Sequence, residues 1–266
     1  MVTTQRKQGN QLATLTVTWE KLPDDFKLED NPVENTGQPL IAGALRESLE
    51  LVGFIKPEML IAANFGLCAT VNGELVIKAP DWVFVRSLLA GESEGDRKSY
   101  TPNLEGENPY VVMEFLSDTD GGEYSVKPTF PPGKWFFYER ILQVPIYAIF
   151  EPPTGLLELY RLQNGRYELE FPDEEGRHWL AEMNLFLGVW RGKKEERTGY
   201  WLRWWDAAGN ILPWAVELVE QERQRTEQER QRAEQERQRA EQEHQRAEKL
   251  AEYLRSQGIN PDEIDL

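Results

Sequence analysis

The chain has 266 residues, 46 acidic and 30 basic, with a formal net charge of −16. A single cysteine, Cys68, excludes an intrachain disulfide; two histidines, His178 and His244, exclude a histidine-rich zinc site; and no run of about 18 apolar residues provides a membrane span. Residues 215–266 carry 14 acidic and 9 basic side chains, leaving −11 on the rest, a poor match to a polyanion unless a bound cation, a basic patch such as Arg191-Gly-Lys193-Lys194, or a partner compensates.

Residues 1–13 are polar and are expected to fray. They lack the apolar centre of a signal peptide, so a reducing cytoplasm is the expected location. Leu15, Val17 and Trp19 alternate with threonines, the pattern of a half-buried strand. Pro23 to Gln38 is acidic and rich in Asn, Pro and Gly, hence loop. Pro39 to Val52 is a predicted helix, started by proline and stopped by Gly53, with Ile41, Leu45, Ser48, Leu49 and Val52 as its buried stripe. Met59 to Ala69 reads as a strand with an irregular middle. Asn72-Gly73 predicts a hairpin turn before Leu75 to Lys78. Asp81 opens the apolar run Trp82 to Val85, and Ser87 to Gly106 is expected to be a surface loop.

Val111 to Leu116 is a predicted buried strand interrupted by Glu114. Ser117 to Gly133 is a connection containing Asp118, Asp120, Glu123 and Lys127, any of whose carboxylates would be available as a second metal ligand. Lys134 to Leu142 has Phe137, Ile141 and Val144 at helical spacing, and Tyr147 to Phe150 is the next strand. Leu156 to Leu162 and Tyr167 to Phe171 flank Gln163-Asn164-Gly165 as a hairpin. Trp179 to Leu187 and Trp190 continue the sheet or close it. Tyr200 to Trp214 is a tryptophan-rich hairpin, turned at Asp206 to Asn210, expected to pack on the domain rather than stack on bases. From Glu220 a seven-residue unit, EQERQRA, repeats. Its residues favour helix, with Glu222/Arg225, Glu229/Arg232, Arg223/Glu227 and Arg230/Glu234 as expected pairs. The a/d seam of a coiled coil is missing, so a solvated single helix competes with a helical assembly over residues 216–256, before an acidic tail, 257–266.

Three charged side chains stand against the apolar pattern. Asp81 follows Pro80 at the start of one strand, and Glu114 shares a face with Val112 and Leu116 in another. An ionised carboxylate there is costly unless paired. If the strands are neighbours, both carboxylates can hold a hard divalent cation, magnesium or manganese. Lys134 occupies a first helical turn, where a cation opposes the helix dipole.

The ordered set Pro80-Asp81, Glu114, Lys134-x-x-x-Tyr138 and Val144-x-x-Tyr147-x-Ile149-x-x-Pro152 resembles the Uma2 family of endonucleases, in the PD-(D/E)XK restriction-endonuclease-like superfamily. The resemblance spans roughly residues 39–190. It implies a restriction-endonuclease-like α/β fold, about residues 14–215, with a mixed sheet flanked by helices and followed by the long charged helix. It further implies hydrolysis of nucleic-acid phosphodiesters, in DNA first, with Mg2+ or Mn2+ on Asp81, Glu114 and the Phe115 backbone carbonyl. The commonest motif places its lysine where this chain has Leu116, so the catalytic lysine is expected at Lys134, with Lys127 as rival. Tyr138 and Glu47 are additional candidates, Glu47 competing with a plain solvated helix face. The rival function is a non-cleaving scaffold that keeps the fold and assembles through its C-terminal helix.

Overall fold

Alternation of apolar residues builds three sheets, the central one carrying the motif-bearing strands. The computed structural model describes residues 2–7, 14–20, 36–90, 95–117 and 122–258, the first six and residues 14–15 by backbone alone. The expectations for residues 8–13, most of 23–38, the Gly91-to-Glu94 stretch, Asp118, Asp120 and the acidic terminus from Ile259 lie outside the described residues. The chain divides into two units, Met1–Trp214 and Ala215–Leu266.

The first strands are β1 (Val2–Lys7) and β2 (Thr14–Trp19), paired antiparallel from Val2 with Trp19 to Lys7 with Thr14. The expected fraying of the N-terminus is therefore corrected over residues 2–7, because ladder hydrogen bonds come from the backbone and do not require apolar side chains. Helix α1 (Gly37–Leu51) starts two residues before the expected proline and buries Gln38, Ile41, Ala42, Ala44, Leu45, Ser48 and Leu49. Val52, expected in that stripe, is instead the exposed C-cap. Gly53 then turns the chain at φ +68°.

The irregular middle of Met59 to Ala69 is a break between sheets. β3 (Leu60–Ala62) joins the central sheet, and β4 (Gly66–Val71) joins the other. Asn64, at φ +47°, lies at the break. β5 (Glu74–Lys78) returns from β4 through Asn72 and Gly73, both at positive φ, as the Asn-Gly pair predicts. β6 (Trp82–Val85) follows. The predicted surface loop after it is more ordered than expected: β7 (Ser99–Tyr100) pairs with β4, and Tyr100, Thr101 and Glu105 are buried.

β8 (Val111–Phe115) is wholly buried. A single 3-10 turn, Gly122–Tyr124, leads to the helical segment, where α2 (Lys134–Phe136) runs directly into a π-helix, Phe137–Leu142. π winding was not expected from the apolar spacing. β9 (Ile146–Glu151) lies parallel to β8, with Glu114 opposite Ile149. β10 (Leu156–Gln163) and β11 (Arg166–Glu170) form the Asn164-Gly165 hairpin. The central sheet is ordered β11-β10-β9-β8-β6-β3, antiparallel except for β8–β9.

β12 (Arg177–Leu180), β13 (Leu185–Lys194) and β14 (Arg197–Trp205) make a separate three-stranded sheet, where the sequence suggested that this stretch continues or closes the preceding one. It packs with α1 on one face of the central sheet, around Trp82, Met113, Phe115, Trp201, Trp204 and Trp214. The indole nitrogens of Trp204 and Trp214 donate to the Leu45 and Ala44 carbonyls, each at 3.1 Å. The tryptophans are core. The opposite face of the central sheet, bearing Val83, Val112, Tyr147 and Ile149, packs on the π-helix and on the β2–β4–β5 sheet.

In the second unit, α3 (Ala215–Ser256) is 42 residues long with no buried residue, about 63 Å at 1.5 Å per residue. Among the described residues its Arg–Glu pairs are Arg225–Glu229 and Glu227–Arg230 rather than the four expected, a change of partner among equivalent exposed neighbours, and His244 lies 3.7 Å from Glu248.

Candidate functional site

Asp81 is set immediately ahead of β6 by Pro80, which has no amide proton to donate and so suits a strand boundary. Its carboxylate accepts the Phe115 amide at 2.5 Å, which locks the start of β6 to the end of β8. Glu114 follows the alternation of β8 onto the π-helix face, where it is 1% exposed. Lys134 and Tyr138, four residues apart and hence on one helical face, both reach it. Lys134 Nζ donates to Glu114 Oε2 at 3.0 Å and the Tyr138 hydroxyl donates to Oε1 at 2.8 Å. The Lys-x-x-x-Tyr spacing is thus a two-point clamp on one carboxylate.

A third carboxylate joins them. Glu123, in the 3-10 turn, accepts from Lys134 at 3.2 Å through Oε1, while Oε2 is buried without a partner. Tyr147 on β9 fixes this turn by donating to the Glu123 carbonyl at 2.9 Å. Gly133 lets the turn close on the helix start, since a Cβ there would lie 2.1 Å from the Ser125 carbonyl oxygen. On α1, the buried Gln38 donates to the Phe115 carbonyl at 2.5 Å. That carbonyl was expected as a metal ligand; Gln38 takes one of its two lone-pair directions.

The charges do not balance. Asp81, Glu114 and Glu123 all act on the ammonium of Lys134, with Lys78 a second ammonium that Glu114 feels. Burial pushes the Glu114 carboxyl up to about 8, against the opposing pull of Lys134 and Tyr138. Burial also works to discharge Lys134, but Glu114, Glu123 and Asp81 together outweigh it and raise its pKa. The two directions are compatible, because Lys134 retains carboxylates when Glu114 takes a proton. Lys78 on β5 belongs to the same neighbourhood: burial first, then the ammonium groups of Lys134 and Lys127, lower its pKa.

The structure brings Asp81, Phe115, Glu114, Lys134 and Tyr138 together. Lys127 is exposed in the preceding loop, and it is Lys134 that reaches Glu114. Glu47 bonds Lys194 at 2.7 Å; it lies nine residues beyond Gln38 on α1, about 13 Å along the axis. The sequence singled out neither Gln38 nor Lys78, and treated Glu123 chiefly as part of a connection. No local signal marks them, because their roles arise from packing between separate elements. Cys68, which burial raises to about 12, and the buried His178, which burial lowers, offer no activated nucleophile or base.

Among the described residues no three His, Cys, Asp or Glu side chains are grouped so as to hold a metal ion. The donor set nevertheless fits a hard divalent cation of the magnesium type, which keeps several waters and takes one or two carboxylates. All its donors are oxygens, and one carboxylate oxygen of Glu123 lies buried without a hydrogen-bond partner.

A mixed central sheet, with carboxylates on adjacent strands and a lysine on the helical crossover between parallel strands, has the restriction-endonuclease-like architecture. The model of the Uma2 family, described as "Putative restriction endonuclease", matches residues 60–192, half of the chain and all of the motif positions from Asp81 to Pro152. The chain belongs to the Uma2 family. A second family model, described as "Helicobacter pylori protein of unknown function", matches residues 211–259, essentially the charged helix. No curated protein matches the chain. No helix among the described residues is long and apolar enough to cross a membrane.

Proposed function

We propose that the protein is a metal-dependent endonuclease that hydrolyses phosphodiester bonds in DNA. The observation that supports this best is the clamp on Glu114, a fully buried carboxylate held by Lys134 and Tyr138 beside Asp81. Asp81 and Glu114 would hold Mg2+ or Mn2+, with the free lone pair of the Phe115 carbonyl as a further oxygen donor. Such an ion, when bound, lowers the pKa of its water and polarises the phosphoryl oxygens. Lys134 remains charged, and its role is to orient the attacking water and stabilise negative charge developing on the phosphoryl group. Tyr138 holds the Glu114 carboxylate in one rotamer and keeps its second oxygen from carrying an unpaired charge. Gln38 fixes the Phe115 carbonyl from α1, and Glu123 keeps Lys134 at the site through its second ion pair.

Supercoiled plasmid incubated with Mn2+ tests the proposal. Nicking is expected, with loss in Asp81→Ala and in Lys134→Met; cleavage that survives Asp81→Ala removes the mechanism. The rival, a non-cleaving scaffold in a reducing cytoplasm, draws on the acidic surface and on α3, which buries no residue. Calorimetric titration separates the two, since a scaffold has no need to bind Mn2+.

A further inference from the structure

A cleft of about 800 Å³ opens at the carboxyl ends of β8 and β9, the end of an α/β sheet where ligands are generally bound. Its floor includes Leu116 and Ser117, the residues directly after β8, and Pro153, beyond β9. Its far wall is the β13–β14 hairpin, which contributes Arg191, Arg197 and Tyr200. Helix α1 begins at this cleft, with no acidic side chain in its first turn.

The two arginines differ from many others in this acidic unit. Arg86, Arg97, Arg140, Arg161 and Arg177 each hold a carboxylate. Arg191 and Arg197 have no carboxylate partner among the described residues. Arg191 is exposed, with its guanidinium 5.6 Å from the centre of the Tyr200 ring. Arg197 is half-buried, donates to the Tyr200 carbonyl at 2.8 Å and lies 4.5 Å over Trp201. Lys193, opposite Thr198 and exposed, extends the same face as Arg191. Among the described residues of the lining, Glu196 alone is acidic. The hairpin from Leu185 to Trp205 has five basic and two acidic residues, in a unit that is otherwise strongly negative.

We propose that this cleft binds a phosphate of the DNA strand a few nucleotides from the bond to be cut, with Arg191 and Arg197 as its anion-binding groups. The assignment rests on the nuclease proposal for the neighbouring carboxylates. By the register Arg191 and Arg197 start from opposite faces of the hairpin, yet both line the cleft, and a single planar guanidinium can match two phosphate oxygens at once. The spacing also fits. Ser117 is three residues past Glu114, about 10 Å along an extended chain, against about 3.4 Å of rise per nucleotide of one strand. The cleft supplies the local positive surface that an acidic protein needs in order to hold DNA.

The test uses the full chain and a fluorescein-labelled DNA duplex of about 20 base pairs, with anisotropy measured in EDTA between about 50 and 200 mM salt. The double variant Arg191→Ala/Arg197→Gln is expected to weaken binding at least tenfold and to flatten the slope of log affinity against log salt by about 0.9, the value for one phosphate contact. Arg191→Ala alone alters an exposed side chain and is expected to flatten it by about half as much. Arg166→Ala, exposed at the start of β11, is the control and leaves both unchanged. Circular dichroism establishes that each variant is folded. Wild-type affinity and slope in Arg191→Ala and in the double variant, or no DNA binding by the wild type at the lowest salt, overturn the assignment. Arginine-dependent binding without any Mn2+-dependent cleavage would leave the cleft standing and remove the nuclease proposal. Asp81-dependent cleavage with binding indifferent to both arginines would do the reverse.

Discussion

Lys134→Met isolates the electrostatics of the site. The substitution keeps an unbranched apolar stem but removes the ammonium shared by Glu114, 1% exposed, and Glu123, 5% exposed. Breaking a buried ion pair from one side strands the opposite charge and costs about 3–5 kcal/mol. For a unit of this size that lowers the melting temperature by roughly 6–20 °C. The penalty depends on pH, and its sign follows from Glu114. Its carboxyl is held at about 8 in the folded protein, against an ordinary value near 4.5. Between those values the folded state binds the extra proton, so this group's stabilising contribution is present at low pH and is lost as pH rises through about 8. Without Lys134 the folded value rises further, and the loss continues to higher pH. At pH 6 both proteins carry a protonated Glu114, which then adds nothing to the deficit; at pH 9, one unit above about 8, Glu114 has enlarged it by about 1.4 kcal/mol, and it goes on growing until the variant's own value is passed. Thermal and urea unfolding in EDTA at the two pH values measure it. Glu114→Gln in the Lys134→Met background should recover most of the pH 9 deficit. A deficit below about 1 kcal/mol, or one equal at pH 6 and pH 9, would refute a buried carboxylate balanced by this lysine.

Tyr138→Phe removes the hydroxyl that donates to Glu114 at 2.8 Å; it should cost about 1–3 kcal/mol at pH 9 and less at pH 6, where the carboxyl is protonated, as read by urea unfolding. Trp204→Ala empties a fully buried position between the sheet and α1 and should cost about 3–5 kcal/mol, with Trp204→Phe retaining part of the packing but losing the bond to the Leu45 carbonyl. A peptide spanning residues 215–256 should be helical by far-UV circular dichroism at low salt, lose helicity near 1 M salt as its pairs are screened, and sediment as a monomer, because its repeat has no apolar seam. Gly155→Ala should destabilise the fold, since φ is +77° and the added Cβ would meet the Tyr200 ring at 2.6 Å; calorimetry of the variant reads the loss.

Local signals determine much of this protein. Period-two alternation places Val17 and Trp19 inward and puts Glu114 on the face of Val112. Asn72-Gly73 and Asn164-Gly165 fix two hairpins because both residues of each turn need positive φ. Lys134 and Tyr138 share a face because four residues make about one helical turn, and the long charged helix is written in its seven-residue repeat. Long-range packing decides the rest. No spacing within the chain reveals that Gln38 meets Phe115 across 77 positions, or that Glu123 shares Lys134 with Glu114. Nor does any local pattern show that the sheet ends at β11 and the tryptophan hairpin turns back onto α1. Backbone preference and side-chain periodicity act over a few residues and are legible one segment at a time. Which carboxylates are stranded together, and which arginines are left without one, depends on how buried segments satisfy one another, and only the folded chain settles that.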